Sequence, residues 1–347
     1  MHRLLLLGAL LTFSASGQSI QVLSQAQVQQ LETQVAQNPT DLEAQKLLGQ
    51  NYALFILGIA SLNKYDSVTS VDPAKATGDF AQHARERMQN STSPAVLGEG
   101  GQALWNLSFQ VQGFVGISRS PAQIPYRDAR ALAIAAVDRA IALDPGNQTW
   151  RSYRIPILDL RTKSSFMPLT TASAYAQAKG DLSVLTATRR YDALSAVAKL
   201  AVRAGMLQDA QSYAQELLAS ARRPADWNYG NAIFFGNMVL GQVAFRQGDL
   251  NSARSRLLAS GATPGSPQLN SFGPNMSLAL DLLEGSPQPS EQRRNAHHEA
   301  SLDSRQVVLD FFTQCQKFWK SGQGKLQKWT ADVNAGRIPD FGANLDY

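Results

Sequence analysis

The chain has 347 residues, of which 44% are hydrophobic and 17% are charged, and its formal net charge is +5 at pH 7. This apolar content excludes a wholly disordered protein, and 25 glycines and 15 prolines are too few for a collagen-like or low-complexity chain. A single cysteine excludes an internal disulfide and any metal site built from several cysteines. The length allows about two average domains or one elongated array.

Residues 1–17 have the layout of a secretory signal peptide. Met1–Arg3 is short and basic, Leu4–Phe13 is an apolar run, and small residues follow at Ala15 and Gly17. The run is too short to cross a membrane, and Gln18 stands where a lipoprotein has cysteine. We therefore expect cleavage near Gly17 and a periplasmic or secreted mature protein. A core helix is the alternative interpretation of the apolar run.

Helical patterning continues through the rest of the chain. Apolar residues recur with a period near 3.6, and no stretch shows the sustained alternation of a half-buried strand. Prolines fall between the patterned windows, where helices must end. The predicted helices include Asp41–Leu62, Gln102–Val115, Tyr126–Leu143, Tyr191–Ala204, Gln208–Ala221, Asn231–Gln247 and Leu250–Ser260. The sequence therefore predicts an all-α protein.

The clearest internal similarity lies between residues 191–221 and 231–263. Small or apolar residues stand at the same offsets in both segments. They are Ala198, Ala201, Gly205, Ala210 and Ala214 in the first segment, and Gly241, Ala244, Gly248, Ala253 and Leu257 in the second. Small residues let two antiparallel helices approach closely, and a glycine ends the first helix before a short link. Each segment is therefore predicted to be a helix–turn–helix unit, with Ala198 and Gly241 at the helix crossings.

This arrangement resembles the tetratricopeptide repeat, a helix–turn–helix unit of 34 residues. Leu48-Gly49 looks like part of a first helix, and Gly78-Asp79-Phe80 and Gly180-Asp181-Leu182 look like further turns. The resemblance implies a right-handed α-solenoid of antiparallel helix pairs over residues 18–284. An ordinary all-α domain without repeats is the alternative.

The composition changes after Gly285. Residues 285–303 are polar and are predicted to form a flexible linker or loop, and residues 304–347 are predicted to form a C-terminal helical cap and tail. Solenoids need such an element to cover their last apolar face. Cys315 lies on the apolar stripe of this cap and is predicted to be buried rather than reactive. The segments SPQLNSFGPNM, FFTQCQKFWK and IPDFGANLDY resemble the C-terminal region of uncharacterised bacterial exported proteins with tetratricopeptide repeats, a resemblance that implies no activity.

Enzyme and cofactor motifs are incomplete in this sequence. His297-His298-Glu299 lacks the spacing of a zinc helix, and the GQGK sequence at 322–325 lacks the upstream glycine and the Ser or Thr of a phosphate loop. Basic residues are scattered, whereas a nucleic-acid-binding face needs them concentrated. We therefore expect no catalytic residue, no metal, no cofactor and no nucleic-acid partner.

The predicted function is a non-catalytic exported scaffold that binds peptide or protein segments. In this repeat type, as the resemblance implies, the first helices of the pairs line a concave groove. The residues that the alignment places there are Lys199, Arg203, Gln242, Phe245 and Arg246. A row of basic groups suits an acidic segment or a terminal carboxylate, with an apolar contact from the phenylalanine. Ordinary solvated basic residues are the alternative interpretation of the row.

Two other functions stay open at this point. A glycan or other small molecule could bind in a groove lined by Trp105, Trp150 and Trp227. A hydrolase with an unfamiliar site would need a positioned acidic residue, for which Glu99 is the candidate.

Overall fold

The computed structural model describes residues 11–12, 19–58, 73–113, 126–162, 168–285 and 293–345. The regular secondary structure of these residues is helical, apart from the two-residue strands Leu11–Thr12 and Ser19–Ile20, which pair antiparallel. The predicted all-α class is therefore confirmed. Most of the predicted signal peptide lies outside the described residues. The chain divides into two compact units, Met1–Ile157 and Leu158–Tyr347.

The first unit is centred on helix α4 (Pro94–Gly113), which packs against α2 (Leu42–Ile56) on one side and α5 (Tyr126–Leu143) on the other. The other helices of this unit are α1 (Gln25–Gln37), α3 (Pro73–Asn90) and most of α6 (Gln148–Arg161). Helix α2 also packs against α3. Prolines begin α3 and α4. The backbone amide of the first helical residue makes no hydrogen bond within the helix, so proline, which lacks the amide proton, loses no hydrogen bond there. At α1, Ser24 forms a capping box, because its hydroxyl accepts from the Gln27 amide while the Gln27 side chain accepts from the Ser24 amide.

Helices α2 and α4 cross at glycines. A Cβ atom on Gly49 would lie 2.3 Å from the carbonyl oxygen of Val96 and 3.0 Å from the amide nitrogen of Gly100. One on Gly100 would lie 2.9 Å from the carbonyl oxygen of Gly49. The two backbones are therefore in contact, which only residues without a side chain allow. Gly49 lies in a helix, α2, and its close neighbour is α4, two helices further along the chain.

The second unit continues with nine further helices in its described residues. They are α7 (Thr171–Val184), α8 (Ala187–Arg203), α9 (Leu207–Ser220), α10 (Tyr229–Arg246), α11 (Leu250–Gly261), α12 (Pro267–Phe272), α13 (Ser277–Glu284), α14 (Arg293–Cys315) and α15 (Gln323–Asn334). Short 3-10 helices cover Lys320–Gly322 and Gly342–Leu345. Helix α10 packs against α8, α9 and α11, and α11 packs against α13 and α14.

Helix α8 is joined to α9, and α10 to α11, by turns of the same conformation. Gly205 and Gly248 have φ values of +76° and +81°, the left-handed conformation that ends a helix. In each turn the amide after the glycine donates to a carbonyl of the preceding helix. The two bonds, each 2.9 Å long, run from Met206 to Ala201 and from Asp249 to Ala244. The two predicted turns are confirmed, and they lie 43 positions apart.

Two other predicted turns are wrong. Gly78-Asp79-Phe80 lies inside α3, and Gly180-Asp181-Leu182 lies inside α7. In α7 the side chains of Asp181 and Leu182 are buried, so packing of this face carries the helix past the glycine. A glycine in a helix interior costs only about 1 kcal/mol relative to alanine, which such burial offsets.

Helix α14 bears the apolar stripe of the C-terminal segment and packs against α11 of the second unit. Its backbone is helical from Arg293, so part of the segment 285–303 predicted as a linker belongs to this helix. Phe312 is fully buried, with its ring centroid 6.0 Å from that of Trp329 in α15. Cys315 is also fully buried, as predicted, and burial raises the pKa of its thiol.

Candidate functional site

The predicted binding residues lie on two neighbouring helices of the second unit. Lys199 and Arg203 belong to the last turns of α8, and Gln242, Phe245 and Arg246 belong to the last turns of α10. Two contacts join the helices here. The Lys199 Nζ atom lies 4.6 Å from the ring centroid of Phe235 in α10, and Arg246 Nη1 donates to the carbonyl of Val202 in α8.

Arg203 is engaged in the fold. Its guanidinium forms an ion pair with Asp159 and donates to the Thr162 hydroxyl at 3.2 Å. Asp159 is only 8% exposed, so the pair is mostly removed from water. Removing one member of such a pair leaves an uncompensated charge, which makes it structurally important. The positive charge of Arg203 is therefore balanced within the second unit.

Gln242 and Phe245 differ in what they offer to a partner. The Gln242 side chain is half-buried, and its Nε2 atom donates to the Ser277 hydroxyl at 2.8 Å, at the start of α13. Phe245 is 7% exposed, so its ring packs inside the unit. Gly241, one residue before Gln242, lies at the predicted crossing of α10 and α11, because a Cβ there would lie 3.1 Å from Arg256 Cβ and 3.4 Å from the Ala253 carbonyl oxygen, both in α11. The same Cβ would lie 2.3 Å from Leu278 of α13.

Helix α13 adds an acidic residue that the sequence analysis missed. Burial raises the pKa of Asp281 to about 6; the positive charge of Arg246 lowers it and the negative charge of Glu284 raises it further. Contacts connect α13 to α10 and α10 to α8, and we call the polar residues that these helices carry here the three-helix surface. Its residues are Lys199, Gln242, Arg246, Ser277 and Asp281. The surface carries both signs of charge instead of a purely basic row.

The acidic candidate of the first unit joins three helices. The Glu99 carboxylate on α4 accepts hydrogen bonds from the Tyr153 hydroxyl of α6 at 3.1 Å and from the Gln50 amide of α2 at 3.2 Å. No group of three metal-binding side chains occurs among the described residues. The side chains of 297–299 lie outside them.

The three tryptophans of the glycan alternative differ in exposure. Trp105 and Trp150 are 6% and 4% exposed and belong to the core of the first unit. Trp227 is 50% exposed and belongs to the second unit. A sugar ring needs an exposed aromatic face to stack on, and only Trp227 offers one.

We classify this protein by its helix packing, because comparison with known proteins gives no match. No protein-family model matches the chain, and no curated protein or solved structure matches it. Of the helices in the described part of the chain, none combines the length and apolar character needed to cross a membrane. The structure defines an all-helical protein with extensive helix–helix packing, which is compatible with a helical repeat fold.

Proposed function

We propose that this protein is a tetratricopeptide-like right-handed solenoid that binds a peptide or protein segment on its three-helix surface, without catalysing a reaction. The observation that carries the proposal is the recurrence of one unit. Helices α8 and α10 end in the same glycine turn, and the pairs Lys199–Gln242 and Arg203–Arg246 stand at equivalent positions. The spacing of 43 residues is longer than the 34 of the family, so each pair is an expanded version of that unit.

The chemistry of the surface suits an extended segment. Gln242 and Ser277 supply amide and hydroxyl groups, which can hydrogen-bond to a peptide backbone. Lys199 and Arg246 supply cations for an acidic side chain or a terminal carboxylate. Asp281 supplies the opposite charge at the α13 side. A segment with a carboxylate near α8 and a basic group near α13 matches this order of charges.

Selection from a random peptide library on the full mature chain tests the proposal. The Kd of an enriched acidic peptide is measured by fluorescence anisotropy with the wild type, Lys199→Glu and the control Lys317→Glu. Lys317 is exposed outside the surface and undergoes the same charge change. We expect Lys199→Glu to weaken binding at least about tenfold, or ~1.4 kcal/mol, and the control to leave it unchanged. Equal affinities of all three proteins, with the helical circular dichroism retained, would refute the proposal.

We also propose that the chain is exported and cleaved after Gly17, which would make Gln18 the first residue of the mature protein. The intact mass of the protein recovered from the periplasm or medium decides this. Retention of Met1 in that fraction would contradict the proposal.

A further inference from the structure

The Glu99 carboxylate of α4 is held by two uncharged donors. Its Oε1 atom accepts from the Tyr153 hydroxyl at 3.1 Å, and its Oε2 atom accepts from the Gln50 amide at 3.2 Å. All three residues are half-buried. Among the described residues Glu99 forms no ion pair, so its negative charge has no counter-ion there. A partly desolvated carboxylate of this kind gains when a cation from outside pairs with it.

Two cations on the flanking helices are engaged elsewhere. The Nζ atom of Lys46 in α2 pairs with Glu43 at 2.7 Å. The guanidinium of Arg154 in α6 pairs with Asp138 of α5 at 3.1 Å. The positive charges of both residues are therefore balanced by carboxylates other than that of Glu99.

The position of Glu99 recurs in other helices that approach a neighbour at a glycine. The tripeptides Leu48-Gly49-Gln50, Leu97-Gly98-Glu99 and Leu240-Gly241-Gln242 lie in α2, α4 and α10. A Cβ atom on each glycine would lie 2.2–2.3 Å from an atom of another helix. Gln242, after the third glycine, belongs to the three-helix surface. Glu99 holds the equivalent place in the first unit, and it carries a full negative charge.

The face of α4 that carries Glu99 offers further polar groups. Gln102 and Asn106 lie three and seven residues further along, which places them on the same side of the helix. Asn106 is exposed, and the Oε1 atom of the half-buried Gln102 has no hydrogen-bond partner among the described residues. Side-chain amides can hydrogen-bond to the backbone of a bound peptide. A segment along this face would therefore meet amides beside the carboxylate.

We propose that Glu99 binds the guanidinium of an arginine side chain carried by a peptide segment, at a site separate from the three-helix surface. Each carboxylate oxygen can accept two hydrogen bonds, and Tyr153 and Gln50 use one on each. The position left on each oxygen matches the two parallel N–H groups of a guanidinium. A lysine ammonium is a point charge without that planar fork. The site therefore prefers arginine to lysine.

Selection of octapeptides with a fixed central arginine on the full chain supplies the probe. The Kd of the most enriched peptide is measured by fluorescence anisotropy with the wild type, Glu99→Gln and the control Glu86→Gln. Glu86 is an exposed glutamate of α3 in the same unit and undergoes the same chemical change. We expect Glu99→Gln to weaken binding at least about tenfold and the control to leave it unchanged.

Changing the arginine of the peptide needs no change in the protein. Citrulline has the shape of arginine without its charge, and lysine has the charge without the planar fork. On the wild type we expect citrulline to weaken binding at least about tenfold and lysine at least about threefold. On Glu99→Gln, citrulline should cause little further loss, because both changes remove the same contact.

Three results would overturn the proposal. The first is an absence of saturable binding by any selected peptide to the folded wild type. The second is an unchanged Kd of the arginine peptide in Glu99→Gln with its helical circular dichroism retained. The third is a citrulline or lysine peptide that binds the wild type as tightly as the arginine peptide does. A citrulline penalty of equal size on the wild type and on Glu99→Gln has the same consequence, because the arginine would then bind elsewhere.

Discussion

Replacing Gly49 with alanine puts a methyl group at the point where α2 and α4 touch. The added carbon would lie 2.3 Å from the carbonyl oxygen of Val96 and 3.0 Å from the amide nitrogen of Gly100, whereas favourable contacts begin near 3.5 Å. Both neighbours are backbone atoms and cannot rotate away, so the helices must move apart by about 1 Å. Overpacking of this kind costs ~1–3 kcal/mol, and the higher helix propensity of alanine returns up to ~1 kcal/mol. We expect a net destabilisation of about 1–2 kcal/mol.

Equilibrium unfolding in urea, followed by circular dichroism, measures this loss. Gly180→Ala is the matched control, because Gly180 is an exposed glycine inside α7 with no atom within 4 Å of an added Cβ. The control should gain about 0.5–1 kcal/mol from reduced backbone freedom in the unfolded chain. The two substitutions are chemically identical and should have opposite signs. A Gly49→Ala protein as stable as the wild type would refute the close approach of α2 and α4.

Two further predictions concern the second unit. Burial and Glu284 hold the pKa of Asp281 at about 6, despite Arg246, whereas an unfolded aspartate has a pKa near 3.9. The folded state therefore binds the proton more tightly, so this contribution to stability is complete below about pH 4 and is lost as the pH rises through 6. Asp281→Asn should flatten that part of the pH dependence of the urea midpoint, and an unchanged slope would contradict the prediction. Phe312→Ala should cost ~3–5 kcal/mol, because its ring is fully buried against Trp329, and a thermal unfolding shift equivalent to less than ~1 kcal/mol would count against it.

The helices with strong local signals could be predicted from the sequence. Tyr126–Leu143 has the observed bounds of α5, because its apolar period is regular and a proline follows two residues after its end. Helix α6 was not among the predicted windows, and it contains Pro156, which ordinarily breaks a helix. Helix α7 has its apolar residues spread around the axis, so periodicity gives no clear signal. Its burial depends on contacts with α8, which the local sequence does not encode.

The candidate site also has a part that could be predicted from the sequence and a part that could not. The repeat alignment placed Lys199 and Arg246 on neighbouring helices, which is where the structure has them. The pairing of Arg203 with Asp159 could not be predicted, because it joins residues 44 positions apart that share no motif. Asp281 was missed because α13 has only eight residues, too few for a periodic pattern to identify its buried face.

The burial of Cys315 makes the opening of the C-terminal segment measurable by thiol labelling. A thiol reagent in solution can reach the sulfur only when α14 separates from its neighbours, since the native side chain has no exposed surface. The rate of labelling therefore reports how often the C-terminal segment opens, in the manner of a slowly exchanging amide. Because the chain has no second cysteine, each labelled molecule reports one opening event, and that event exposed Cys315. The same burial protects the thiol from oxidants while the segment stays closed.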